Sequence, residues 1–192
     1  MIIIYQTIFK LTYMQKLFIS RTLICLFFLG SIAAKAQIFE KGTKLVDAGF
    51  QLQSDYIPIF ANFETGVTDD IGVGAKSSFA KKNHVGNMGI QLVGNYHFNR
   101  LLKLPVEKLD LLAGLGLGVQ LVTYKFAGDS DSQAAFLSTP FVGSRYFFTD
   151  KIGAMAKVGF DIYRYKNDYG YYGSAVETFT RASFALGVTF KL

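Results

Sequence analysis

The feature that most constrains this 192-residue chain is a polarity that alternates from one residue to the next. The segment 109–121 is the most regular example: its odd positions are all apolar, and its even positions include Asp110, Gln120 and three glycines. Successive side chains of a β-strand point to opposite faces, so such a segment has one apolar and one more polar face. Alternating segments of about ten residues, separated by turn residues, are typical of strands in transmembrane barrels.

Eight such segments can be recognised after Gln37, and no second helical pattern accompanies them. The sequence therefore predicts an all-β chain, folded as an eight-stranded antiparallel up-and-down transmembrane β-barrel. The predicted strands are 45–53, 57–67, 71–80, 88–98, 109–121, 134–148, 152–165 and 181–192. An even strand number predicts that both termini lie on the periplasmic side, with turns at 68–70, 99–108 and 149–151. Long outer loops are predicted at 81–87, 125–133 and 166–178.

The first 36 residues read as a cleavable secretory signal peptide, which leaves 37–192 as the barrel. Lys16 and Arg21 form its positive region, residues 23–32 form its apolar core, and Ala34-Lys35-Ala36 forms a cleavage site. The core is shorter than the ~20 residues that a membrane helix needs. A retained anchor is the alternative, and Met14 is an alternative start.

Removal of the signal peptide would change the charge and the cysteine content. The segment holds four of the 20 bases and none of the 14 acids, so 20 − 4 = 16 bases would remain, a net charge of +2 instead of +6. It also holds Cys25, the only cysteine of the chain. These observations exclude disulfides, thiol catalysis and thiolate metal sites from the barrel, and nothing indicates a cofactor or a nucleic-acid partner.

Charged residues of the predicted strands lie on the face opposite the apolar one. They are Asp47, Glu64, Lys76, Asp110, Arg145, Lys157, Asp161 and Arg181. A soluble barrel of the lipocalin type would have the reverse arrangement, with its apolar face inside. Charges inside and apolar residues outside predict a barrel surrounded by lipid, in which the sheet must close to satisfy its backbone.

The four acids and four bases of this inner face predict a charge-balanced plug. Eight strands enclose a space that side chains just fill, although an ion path or a proton relay is the alternative reading. In the predicted register, Glu64 and Lys76 are diagonal neighbours close enough to pair. Arg145 and Lys157 would then pair with Asp110 or Asp161.

An internal repeat supports this register. Residues 68–79 match residues 149–160 at an offset of 81, with seven of twelve positions identical. The repeat predicts two four-stranded halves, with the copies on opposite walls of the barrel, and a chance match between two Gly/Ala-rich strands is the alternative.

The last predicted strand has large apolar residues at strict two-residue spacing: Phe184, Leu186, Val188, Phe190 and Leu192. This pattern resembles the C-terminal assembly signal of outer-membrane proteins, in which the last residue is usually Phe. The whole chain after the signal resembles the small eight-stranded barrels of the OmpA transmembrane domain, OmpX and OmpW type. The resemblance implies a location in the bacterial outer membrane, with lipid and lipopolysaccharide as partners. It also implies barrel-assembly machinery and periplasmic chaperones as partners during biogenesis.

Three functions are compatible with these features. The first is a non-enzymatic barrel with a filled interior and a structural or surface-contact role, in which Tyr169, Tyr171 and Tyr172 of the loop 166–178 contact carbohydrate or protein. A membrane-interface girdle is the alternative role for these tyrosines. The second is a narrow channel for small hydrophobic solutes, suggested by the inner-face residues Leu112, Val122 and Met155. The third is a lipid-modifying enzyme. It is disfavoured because His84 has no nearby His-x-Ser pattern, His97 is predicted at the inner end of its strand, away from the outer leaflet, and the two histidines are too far apart in sequence for metal-ligand spacing.

Overall fold

A computed structural model describes residues 38–192 except 54–55, 103–107, 127–128 and 169–173. Its strands are β1 (Lys44–Leu52), β2 (Ile59–Gly66), β3 (Ile71–Lys82), β4 (Val85–His97), β5 (Leu109–Phe126), β6 (Asp129–Phe147), β7 (Ile152–Asp168) and β8 (Ser174–Lys191). One turn of helix, α1 (Asn99–Leu102), lies between β4 and β5. The predicted signal peptide and the three predicted contact tyrosines lie outside the described residues.

The strands pair in chain order and form a closed antiparallel barrel. Pairing of β1 with β8, from Leu45 opposite Lys191 to Leu52 opposite Phe184, joins the two ends of the sheet. The predicted eight-stranded up-and-down barrel is thus confirmed. We call the end that holds Ile38 and Leu192 the termini end, and the end of the β1–β2, β3–β4, β5–β6 and β7–β8 connections the hairpin end.

The alternation of residues along each strand puts apolar side chains on the outer surface of the barrel and polar or charged ones on the inner surface. On the outside, Ile59 is 63% and Leu92 73% exposed, whereas the inward-facing Asp47 and Asp110 are 0% exposed. Asn62 lies opposite Lys76 in the β2–β3 pairing, which makes Glu64 and Lys76 diagonal neighbours as predicted. No helix in the described part of the chain has the length and apolar character needed to cross a membrane.

The two turns of the internal repeat have the same hydrogen bonds. Thr68 Oγ1 accepts from the backbone N–H of Ile71 at 2.9 Å, and Thr149 Oγ1 accepts from that of Ile152 at 3.0 Å. In each turn the residue before the threonine also donates its backbone N–H to the isoleucine carbonyl oxygen of that turn. The distance is 2.9 Å both from Val67 to Ile71 and from Phe148 to Ile152. The repeated sequences thus form turns with the same hydrogen bonds between β2 and β3 and between β6 and β7.

The strands of the second half are longer than predicted. β5, β6, β7 and β8 have 18, 19, 17 and 18 residues, against 9 and 8 for β1 and β2. The three predicted long loops are wrong where strands continue into them. Between β3 and β4 only residues 83–84 of the predicted loop 81–87 lie outside the strands, and the loops 125–133 and 166–178 are strand wherever they are described. Antiparallel pairing continues there although the residues are polar, because a strand beyond the apolar belt needs no apolar face. The alternation of apolar and polar residues therefore ends where the strands leave the apolar belt.

Glycines on the inner face leave space for the large side chains that point into the barrel. A Cβ on Gly72 would collide with the carboxyl group of Glu64, and a Cβ on Gly114 would collide with the side chains of Asn95 and Phe141. The interior is therefore filled by large residues facing glycines.

Candidate functional site

The centre of the barrel is occupied by the side chain of Arg145, which reaches across from β6 and is fully buried. Its Nε and Nη2 donate to the two carboxylate oxygens of Asp47 on β1, at 3.0 and 2.9 Å. Its Nη1 donates to Asp110 Oδ2 on β5 at 3.1 Å, and Nη2 also donates to Glu64 Oε2 on β2. One guanidinium thus connects three carboxylates from three other strands, which its planar fork of donors allows.

His97 completes this layer from the end of β4. Its Nδ1 lies 2.8 Å from Asp110 Oδ1, and its Nε2 lies 2.8 Å from Glu64 Oε1. A neutral imidazole has only one N–H, so two carboxylate contacts require one further proton, on the ring or on a carboxyl group. We define the interior ion cluster as Arg145, His97, Lys157, Asp47, Glu64 and Asp110; with a protonated ring it has three positive and three negative charges.

Lys157 is the third cation of the interior ion cluster. Its Nζ donates to Asp47 Oδ2 at 3.0 Å, where Asn62 Nδ2 also donates at 3.1 Å. The ammonium group lies 5.3 Å from the centre of the Phe141 ring. Burial of ions is costly unless each is paired and hydrogen-bonded, and this arrangement meets that requirement.

Residues before β1 cover the interior ion cluster at the termini end. The ring of Phe39 stacks on the imidazole of His97 with centroids 3.5 Å apart and an interplanar angle of 12°. Phe39 packs with the buried side chains of Ile38, Leu45 and Phe147. Lys191 Nζ donates to the carbonyl oxygen of Ile38 at 3.1 Å, which ties this segment to the last strand.

A second polar layer lies nearer the hairpin end and is centred on Asp161. This carboxylate accepts from Gln51 Nε2 at 2.7 Å, from Thr139 Oγ1 at 2.8 Å and from Gln53 Nε2. Lys76 Nζ donates to Gln51 Oε1 at 2.9 Å. Arg181 lies opposite Asp161 in the β7–β8 register, with its guanidinium 4.7 Å from the centre of the Phe179 ring.

The cavities between these layers are small. One of about 30 Å³ is lined by Asn62, Lys76, Gln91 and Lys157 among others, and one of about 10 Å³ lies beside Asp161 and Tyr163. A single water needs roughly 10–15 Å³ measured in this way. The larger space matches about two waters and the smaller at most one, so both are too small for an organic solute.

The structure distributes the eight predicted inner charges over the two layers. Asp47, Glu64, Asp110, Arg145 and Lys157 meet in the interior ion cluster, whereas Lys76, Asp161 and Arg181 lie nearer the hairpin end. The predicted pair of Glu64 with Lys76 is wrong. Glu64 bonds to Arg145 and His97 instead, because the guanidinium from the opposite wall offers several donors and Lys76 extends towards Gln51.

Two members of the site were missed by sequence reasoning. Alternation places His97 on the inner face, two residues after Asn95. Its position among the inner acids was the signal that could have identified it as their partner. Phe39 precedes the first alternating segment, so no periodic signal marked it. Leu112, Val122 and Met155 do face inward, where each is nearly buried. His84 is exposed in the β3–β4 turn, and no metal-ligating group of three residues occurs in the described ranges.

The alternating residues of the last strand form the closing seam. Phe184, Leu186, Val188 and Phe190 lie opposite Leu52, Phe50, Ala48 and Val46 of β1. Leu192 follows β8 and donates its backbone N–H to the carbonyl oxygen of Lys44 at 3.0 Å. The predicted assembly signal thus coincides with the strand whose pairing closes the barrel.

The fold is similar to that of several solved outer-membrane proteins. The N-terminal β-barrel domain of OprF from Pseudomonas aeruginosa is 18% identical over 79% of this chain and 98% of its own, with a TM-score of 0.58. Neisserial surface protein A is 12% identical over 78% of this chain and 95% of its own, with a TM-score of 0.55. Ail, the attachment invasion locus protein of Yersinia pestis, is 12% identical over 79% and 99%, with a TM-score of 0.50.

No family model matches the chain, and no curated protein is significantly similar to it in sequence. At the identities given above, similarity to solved structures establishes the fold alone. The chain therefore has the fold of the small eight-stranded outer-membrane barrels, as its sequence predicted.

Proposed function

We propose that this protein is a non-enzymatic barrel of the bacterial outer membrane, closed to solutes and acting through structure or surface contact. The observation that carries the proposal is the interior ion cluster, in which Arg145 joins acids from three strands across the full width of the interior. A barrel whose cross-section is filled by paired charges has no continuous water path. The stack of Phe39 on His97 adds an apolar cover to the same level.

The fold and the outer surface support the membrane location. Large apolar side chains point outward from all eight strands, and the similar barrels named above are outer-membrane proteins. We place both termini in the periplasm because the strands β5–β8 extend beyond the apolar belt at the hairpin end, as the longer extracellular parts of even-stranded outer-membrane barrels do. The surface-contact role is then a property of the hairpin end, and the name of Ail describes attachment for a barrel of this fold.

Conductance measurements test the closed interior. The purified protein should give no stable single-channel steps in planar lipid bilayers, and Arg100→Ala, which removes ion pairs with Asp69 and Asp70 outside the interior, should behave in the same way. Arg145→Ala opens a gap at the level of the interior ion cluster and should raise the conductance. Stable steps from the unmodified protein would refute the proposal.

Labelling of intact cells tests the orientation. The only cysteine of the natural sequence is Cys25, within the predicted signal peptide, so an introduced cysteine is unique in the barrel. A membrane-impermeant maleimide should label Ser132→Cys at the hairpin end and should leave Asp69→Cys at the termini end unlabelled. The reverse pattern would overturn the proposed orientation.

A further inference from the structure

Two lysines at equivalent positions of the internal repeat share one cavity inside the barrel. Lys76 on β3 and Lys157 on β7 are 81 positions apart, and they enter from opposite walls because their strands lie four apart in a barrel of eight. Both line the cavity of about 30 Å³ between the two polar layers, which we call the lysine cavity. Among the described residues that line it, these two alone are charged.

Each ammonium group lies against an aromatic ring of the preceding strand. Lys76 Nζ is 5.5 Å from the centre of the Phe60 ring, and Lys157 Nζ is 5.3 Å from the centre of the Phe141 ring. Phe60 and Phe141 are also 81 positions apart, and both line the lysine cavity. The face of a ring attracts a cation but is not a conventional hydrogen-bond acceptor, so these contacts leave the N–H groups of both lysines available.

The two ammonium groups have more donors than the protein has acceptors for them. A lysine ammonium has three N–H donors and no acceptor. Lys76 donates one to Gln51 Oε1 at 2.9 Å, and Lys157 donates one to Asp47 Oδ2 at 3.0 Å. Within the described part of the chain these are their only hydrogen bonds to protein. Two cations at one cavity thus retain donors for an additional acceptor.

The interior also lacks one negative charge. The eight inner charges, four acids and four bases, balance one another while His97 is neutral. Both imidazole nitrogens of His97 contact carboxylate oxygens, of Asp110 and of Glu64, at 2.8 Å, which requires one further proton. Whether that proton is on the ring or on a carboxyl group, the interior has a net charge of +1. A buried net charge is costly unless a counter-ion pairs with it.

We infer that the lysine cavity binds one monovalent anion of the size of chloride between the two ammonium groups. Its volume of about 30 Å³ corresponds to about two waters, so it admits a halide ion with one water and is too small for an organic acid. The water has an acceptor in Asn62 Oδ1, which lines the cavity and is buried without a hydrogen-bond partner in the described part of the protein. The anion supplies the missing negative charge and accepts from both lysines.

The dependence of folding on bromide tests the inference. Urea unfolding of the barrel in phospholipid vesicles is measured over a series of bromide concentrations, with gluconate, an organic anion, keeping the ionic strength constant. An ion that binds only the folded protein raises the folding equilibrium constant in proportion to its concentration once the site is filled, so the constant should rise about tenfold for each tenfold rise in bromide. Lys76→Met removes one ammonium group of the site and should abolish this dependence. The matched control Lys81→Met removes an exposed lysine of the same strand and should retain it.

Bromide also locates the site, because crystals grown with it should show an anomalous scattering peak between Lys76 Nζ and Lys157 Nζ. The inference is overturned if the unmodified protein does not respond to bromide, if Lys76→Met responds as strongly, or if Lys81→Met loses the response as well. Lys76→Gln replaces Lys76→Met if that variant does not fold, and the absence of the peak from crystals of the unmodified protein counts against the site without any variant. Neither measurement reads conductance or orientation, so a failure here is distinguishable from a failure of the proposed function.

Discussion

Replacement of Arg145 by methionine tests the interior ion cluster most directly. Methionine is unbranched and retains much of the volume of arginine, but it is shorter and has no hydrogen-bond donor. The substitution would leave Asp47, Glu64 and Asp110, all 0% exposed, facing a side chain that cannot bond to them. Lys157 would still bond to Asp47, and His97 would still bond to the other two acids.

Removal of one partner from a buried ion pair costs about 3–5 kcal/mol. Three acids lose a partner here, but each retains one other contact, so we expect the free energy of unfolding to fall by about 4 kcal/mol. The matched control is Arg100→Met, because Arg100 is 55% exposed where it pairs with Asp69 at 2.9 Å. Exposed pairs contribute about 0–1 kcal/mol, so this control should change little.

Equilibrium urea unfolding in phospholipid vesicles measures both variants. Circular dichroism should follow the transition because the chain contains no tryptophan. Adding Glu64→Gln to Arg145→Met should restore part of the lost stability, since it returns the cluster to two positive and two negative charges and leaves Lys157 bonded to Asp47 and His97 bonded to Asp110. The reasoning is refuted if Arg145→Met costs no more than Arg100→Met, or if the double variant recovers nothing.

Four further substitutions test neighbouring contacts by the same urea titration. His97→Gln loses two bonds to carboxylates and should cost about 2–3 kcal/mol, and a loss below about 0.5 kcal/mol would contradict the paired role of the imidazole. Phe39→Ala should cost about 3 kcal/mol and speed hydrogen exchange in residues 38–45, whereas unchanged exchange would show that the ring does not hold the segment. Thr68→Ala and Thr149→Ala should each cost about 1 kcal/mol, and clearly unequal losses would contradict the equivalence of the two turns.

The architecture could be predicted because it depends on local alternation. Successive residues of a strand alternate between the lipid-facing and the inner face. Val119 can therefore be placed on the lipid-facing side and Asp110 on the inner side without knowledge of any residue in a neighbouring strand. The even strand number and the short turns then specify chain-order pairing. The predicted strands of the second half are too short. Beyond the apolar belt both faces of a strand become polar, so the sequence no longer alternates between apolar and polar residues there.

The partners of the inner charges could not be predicted in the same way. Pairing between adjacent strands suggested that Glu64 would meet Lys76, its diagonal neighbour, but long side chains in a narrow barrel reach across it. Glu64 and Arg145 occupy equivalent positions in the two repeated hairpins, and they contact each other from opposite walls. That contact depends on the barrel diameter and on the stagger of all eight strands.

By itself, the sequence determined the set of side chains that face inward and the set that faces lipid, because a period of two residues is a property of each strand alone. Only the tertiary structure decided which inner groups meet. Closure of β1 onto β8 brings groups from β1, β2, β4, β5, β6 and β7 to one level, and there the donors of Arg145, His97 and Lys157 satisfy three carboxylates.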